Sequence, residues 1–244
     1  GTFTVGAFTL TVTGATSVAS TLAITSTTNT KTFTGNVTIN NGGTWNNSGN
    51  ESISLGGSLQ NDGTFTAGSG VYTFSGTTKT ISGANAVAIP NLTVNGTLSN
   101  TIALTVSTNL NGTSTLTNAA NATLNLGGSP GINGLTASAN PNTVNYTGGF
   151  QTLFATTYHH LGLSGSNTKD LSNGVGTING DLTLSGTCNA TTATATTIGG
   201  NLTVGSGTTF TAAGFNLTVT GTTSLTGTLA HSSTSGTRTF TGLV

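Results

Sequence analysis

In Ile178-Asn179-Gly180-Asp181-Leu182-Thr183-Leu184-Ser185-Gly186-Thr187, apolar side chains at 182 and 184 flank a threonine, and small turn-forming residues bracket the triplet. The same figure returns 20 residues on, in Gly200-Asn201-Leu202-Thr203-Val204. Such alternation sends one set of side chains to a buried face and the other to solvent, as a half-buried strand requires. Further pairs at i and i+2 recur along the chain, among them Ile53/Leu55, Tyr72/Phe74, Leu92/Val94, Leu104/Val106, Leu124/Leu126, Val144/Tyr146 and Leu161/Leu163. Many neighbours fall about 20 residues apart, as do positions 53, 72 and 92, or 163, 182 and 202. A beat of that length is the signature of a solenoid, in which each coil supplies two or three short strands and equivalent strands stack in parallel. The expected fold is all-β, a parallel β-helix with coils of about 20 residues. Leu182/Leu184 should stack on Leu202/Val204. Shorter steps, 92 to 104 and 202 to 217, mark either shorter coils or a second strand of one coil. The competing architecture is an array of antiparallel β-sandwiches, in which Asn95-Gly96 would close a hairpin.

A longer period lies over the short one. Residues 1–37 return without a gap as residues 208–244, with 22 of 37 positions identical. Leu10-Thr11-Val12-Thr13-Gly14 becomes Leu217-Thr218-Val219-Thr220-Gly221, and Lys31-Thr32-Phe33-Thr34-Gly35 becomes Arg238-Thr239-Phe240-Thr241-Gly242. Residues 1–244 therefore read as one continuous solenoid. Residues 1–207 form one long repeat, and 208–244 begin the next copy. Continuation past residue 244 is expected to resemble Thr38-Ile39-Asn40 onward, or else separate subunits are expected to dock head to tail.

Composition narrows the function classes. Only 3% of residues are charged, four basic and four acidic, for a net charge of zero. No Lys/Arg cluster exists to displace counterions from phosphates, so nucleic acid is not an expected partner. An anionic membrane surface is disfavoured for the same reason, and no apolar run is long enough for a membrane-spanning helix. The single cysteine, Cys188, makes no internal disulfide and reads as a small buried filler. A neutral surface rich in Thr, Gly and Asn suits an extracellular or cell-surface setting.

The segments Gly35-Asn36-Val37-Thr38-Ile39-Asn40-Asn41-Gly42-Gly43-Thr44-Trp45, Ile178–Thr187 and Gly200–Val204 resemble the degenerate repeats of bacterial surface β-helix proteins. These are the filamentous-haemagglutinin-like adhesins and autotransporter passengers. The resemblance implies a secreted β-helix whose work is adhesion or surface structure. It carries over no catalytic residue.

Sugar cleavage needs two carboxylates about 5–10 Å apart. The acids are Glu51, Asp62, Asp170 and Asp181, and the pairs Glu51/Asp62 and Asp170/Asp181 are half a coil apart, on different faces. Lys169-Asp170 reads as a solvated turn pair. His159-His160 are adjacent, so on a strand they point to opposite faces and do not share a metal. His231 stands where the first copy has Ile24, which suggests tolerance. Eleven Asn-x-Ser/Thr sequons, including Asn36, Asn91, Asn111, Asn201 and Asn216, are close to what the composition accounts for. Inner Asn residues are expected to stack as amide ladders. Thr-x-Thr pairs such as Thr9/Thr11/Thr13 raise an ice-binding reading, but most coils between Thr66 and Thr209 lack them. Phe3, Phe8, Phe33, Phe65, Phe74, Phe210, Phe215 and Phe240 read as core, as does Trp45, whose alternative is an exposed sugar platform.

No catalytic, cofactor or metal residue is assigned, and no enzyme is expected. The expected role is structural: a subunit or segment of an extracellular bacterial filament, sheath or surface fibre that joins end to end. The alternatives are an adhesin shaft and a carbohydrate-binding β-helix, with cell-surface polysaccharide as a further partner.

Overall fold

The computed structural model describes residues 1–244. It is all-β and without a helix, and thirty-four short strands pair in parallel in coils of about 20 residues, about 12 turns in all. The chain divides into two compact units, one of residues 1–124 with 131–134, the other of residues 125–130 with 135–244.

Three strand stacks make most of the walls of the first unit, and a further parallel pair joins Val87–Ala88 to Ala103–Val106. One runs Thr2–Val5, Thr21–Ile24, Thr44–Asn46, Thr64–Thr66. The second runs Leu10–Val12, Lys31–Phe33, Ile53–Leu55, Val71–Phe74, Asn91–Val94, Asn109–Asn111. The third runs from Thr16–Val18 through Val37–Ile39, Leu59–Asn61, Lys79–Ser82 and Leu98–Asn100 to Thr115–Asn118.

The second unit is built the same way. Its first stack runs Thr143–Tyr146, His160–Leu163, Leu182–Leu184, Leu202–Val204, Thr223–Leu225. A second runs Gln151–Thr152, Ser166–Asp170, Thr187–Thr191, Thr209–Ala212, Thr228–His231. A third runs Thr177–Ile178, Thr196–Ile198, Leu217–Val219, Arg238–Phe240.

Alternation decides what lies inside. Leu182 pairs with Leu202, Thr183 with Thr203 and Leu184 with Val204, in parallel. The four apolar side chains are buried, and each contributes roughly 1.5–3 kcal/mol by leaving water. The step from 202 to 217 is a second strand of one coil, since Leu202–Val204 pairs with Thr223–Leu225 while Leu217–Val219 pairs with Thr196–Ile198. The expected alternative hairpin at Asn95-Gly96 does not form. Asn91–Val94 pairs with Val71–Phe74 and Asn109–Asn111, whereas Leu98–Asn100 pairs with Lys79–Ser82 and Thr115–Asn118. Coil corners pack backbone on backbone, which is why glycine stands there. A Cβ on Gly57 would lie 2.2 Å from the Gly35 carbonyl oxygen.

The strand pairing near the start of the chain recurs 207 residues on. Thr2–Val5 pairs with Thr21–Ile24 from Thr2↔Thr21 onward, and Thr209–Ala212 pairs with Thr228–His231 from Thr209↔Thr228 onward. Leu10↔Lys31 has its counterpart in Leu217↔Arg238. The aromatic core reading needs correction at five positions, Phe65 and Phe240 being only half-buried and three more exposed. Phe3 is 62% exposed, Phe8 84% and Phe215 44%. Phe210 is buried on Ala190 of the strand stacked beneath it, while the strand bearing Phe3 is paired on one side only.

Candidate functional site

Polar side chains that point inward are the first place to look for chemistry, because an unpartnered buried polar group is costly. Lys31 occupies an apolar position of its strand, with Thr32 outward and Phe33 inward. Its ammonium donates to the carbonyls of Thr28 (3.0 Å) and Asn29 (2.6 Å) and to Glu51 Oε2 on the next coil (3.2 Å). Glu51 Oε1 accepts the Ser52 N–H. Lys169 repeats the arrangement without a carboxylate, donating to the carbonyls of Gly148 and Gly149 and to Gln151 Oε1. Its side chain is fully buried, so the reading of Lys169-Asp170 as a solvated pair is wrong for the lysine. Strand alternation turns Lys169 into a niche of corner carbonyls, while Asp170 stays outside and bonds to Ser172. Burial pushes the Lys169 ammonium below the usual lysine range. Arg238 fills the corresponding niche of the second copy, donating to Ser235 and Gly236, the counterparts of Thr28 and Asn29. Sequence reasoning missed these inward cations; the signal was a basic residue at an apolar beat, repeated as Lys31 and Arg238.

The buried aromatics are likewise held by one another. Trp45 is buried, and its Nε1–H donates to Tyr72 Oη at 3.0 Å, which also accepts from Asn47 Nδ2 and donates to the Ala67 carbonyl. Tyr146 and Tyr158 share a 2.8 Å hydroxyl contact. Burial raises all three phenols, that of Tyr146 to about 12. Cys188 is buried, with its thiol pushed up by burial.

One depression, of about 460 Å³, gathers titratable groups on the second unit: His160 and Asp181 line it with Thr143, Asn145, Gly162 and Thr183. His160 Nδ1 lies 3.3 Å from Asp181 Oδ2 and accepts the Asp181 backbone N–H at 3.0 Å. An accepting Nδ1 leaves the neutral ring's proton on Nε2. The His159 and His160 rings are not on opposite faces but 4.2 Å apart. His159 lies just before the strand that begins at His160, where alternation does not yet hold, and Gly180 on the next coil leaves room. A Cβ there would meet His160 Nδ1 at 2.7 Å and His159 Cε1 at 3.0 Å. Burial, then the neighbouring His160, lowers the His159 imidazole. His159, His160 and Asp181 do not form a cluster able to hold a metal ion.

The four carboxylates have separate partners. Glu51 pairs with Lys31, Asp62 accepts from Gln60 and the Ala84 N–H, Asp170 from Ser172, and Asp181 from the Asn201 N–H. Sequon asparagines serve the coils in a similar way. Asn36, Asn201 and Asn216 accept backbone N–H groups of Ser58, Thr222 and Thr237 on the following coil. The expected amide ladder exists inside, from Asn100 to Asn118, and outside, from Asn109 to Asn91. Apart from Asp170, these groups tie one coil to the next. No family model, curated protein or solved structure matches the chain.

Proposed function

We propose that the chain is a structural segment of an extracellular bacterial fibre, sheath or filament, with the coil axis along the fibre and copies of the long unit joined end to end. The observation that carries this is the repeat of register, Thr2↔Thr21 with Thr209↔Thr228 and Leu10↔Lys31 with Leu217↔Arg238. A unit of 207 residues that returns to the same strands and pairing is suited to indefinite continuation, as in other solenoids. Near-absence of charge supports it too, because little self-repulsion opposes association. The buried cations support a mechanical role, since each ties corner carbonyls together. The resemblance to surface β-helix repeats favours the same reading, with an adhesin shaft as one form of it.

Antibody raised against the chain and carried on gold, imaged on the cells that make it, is the direct test. Label should decorate surface fibres at regular intervals. Label confined to the cell interior would overturn the proposal.

A further inference from the structure

We propose that His160 is a proton-operated link between two coils of the second unit. When the ring is neutral, its Nδ1 accepts the Asp181 N–H of the next coil. When the ring is protonated, it releases that N–H and donates to the Asp181 carboxylate instead. The inference goes beyond the fibre reading and does not depend on it.

The link belongs to a file of side chains that join coil to coil. His160, Asp181, Asn201 and Thr222 stand one position before Leu161, Leu182, Leu202 and Thr223, which pair in register. Each of the first three accepts the backbone N–H of the one that follows. His160 Nδ1 takes that of Asp181 at 3.0 Å, Asp181 Oδ1 that of Asn201 at 2.7 Å, and Asn201 Oδ1 that of Thr222 at 2.9 Å. Carboxylate and amide oxygens remain acceptors from neutrality down to about pH 5. An imidazole nitrogen does not, because histidine takes up its proton between about pH 5 and 8 and both ring nitrogens are then donors. His160 is therefore the one link of this file that mild acid inverts.

The acceptor for the inverted bond is already in place, since Asp181 Oδ2 lies 3.3 Å from Nδ1. Oδ1 of the same carboxylate holds the Asn201 N–H, so a pull on Asp181 is felt one coil further on. Solvent reaches both partners, their side chains being 31% and 40% exposed, and the released N–H can turn to water. That exposure keeps the ion pair weak, of the same order as the hydrogen bond it replaces, so neither state overwhelms the other. Gly180 holds the ring at its partner, a Cβ there lying 2.7 Å from Nδ1. The titratable groups facing the ring are Asp181 from the next coil and His159 from its own. The preceding coil offers Asn142, Thr143 and Asn145, none of them charged. Burial, then His160, lowers the His159 imidazole. His159 thus stays neutral further into acid than a free histidine, and the corner takes on one positive charge rather than two.

The test is nitrogen-15 NMR of the full chain from about pH 7.5 to about pH 5. At the upper end the His160 ring should carry its proton on Nε2. On acidification the Asp181 amide should shift together with the ring nitrogens. Its protection from hydrogen exchange, corrected for the intrinsic rate at each pH, should fall about tenfold, while the Thr222 amide keeps its protection. H160N sets an amide oxygen in the place of Nδ1, as Asn201 does two coils on, and should keep Asp181 protected throughout. H159N should leave the pH response in place. A neutral ring with its proton on Nδ1, or an Asp181 amide indifferent to the ring's titration, overturns the proposal. So does a pH response that survives H160N or vanishes in H159N.

Discussion

Replacing Glu51 with glutamine keeps the shape of the side chain and removes the charge that faces Lys31. Both side chains are buried, 0% and 3% exposed, and their atoms are 3.2 Å apart. Breaking a buried pair by removing one partner costs about 3–5 kcal/mol. Here the ammonium keeps the carbonyls of Thr28 and Asn29, and the glutamine carbonyl remains an acceptor. The loss should therefore fall at or just below the bottom of that range, about 2–3 kcal/mol. With a urea slope of about 2 kcal/mol per molar, the unfolding midpoint should drop by roughly 1–1.5 M. The single tryptophan, Trp45, reports on this coil, since its ring centroid is 5.1 Å from that of Phe33. K31M alone strands the carboxylate, so K31M/E51Q should cost less than the sum of the two single changes. A coupling of at least about 1 kcal/mol is expected for groups in direct contact. A midpoint shift for E51Q below about 0.3 M, or a strictly additive cycle, would refute the reasoning.

Other perturbations probe different contacts. G57V places side-chain carbon against the Gly35 carbonyl, 2.2 Å from its Cβ position; a large loss of stability is expected by circular dichroism, and a wild-type melting curve would contradict the packing. L184A should cost about 2–5 kcal/mol by urea titration, because Leu184 is buried between Leu163 and Val204. Tyr146 is raised from 10.0 to about 12, and the other two tyrosines are raised as well. A raised phenol stabilises the fold below its unfolded value and ceases to do so as pH climbs through the folded one. Tyrosinate absorbance should therefore stay low as pH passes 10 and appear together with unfolding; gradual ionisation of the intact fold near pH 10 would contradict this. Cys188 should react with a thiol reagent only on unfolding, and rapid labelling of the native chain would show that its corner opens.

What was legible in the sequence follows from the period of strands. Leu182/Leu184 and Leu202/Val204 announced their stacking because alternation and a 20-residue beat leave one arrangement that buries both pairs. Trp45 was legible as core for the same reason, its place being an inward beat. Lys31 and Lys169 were not, because their niches are made of carbonyls and side chains contributed from more than one coil. Composition suggests that a lysine belongs outside, and only register shows otherwise. His159 and His160 failed for a local reason: alternation begins at a strand's first residue, and His159 lies one residue before it. Phe3 and Phe210 show the converse limit, the same residue in the same repeat being exposed or buried according to whether a strand lies beneath it.

The central claim is that coils stack along the axis of a fibre. Diffraction from aligned native material measures it directly. Strands perpendicular to the fibre should give a meridional reflection at about 4.8 Å, along the fibre direction. The same spacing found on the equator, with strands parallel to the fibre, would contradict the account.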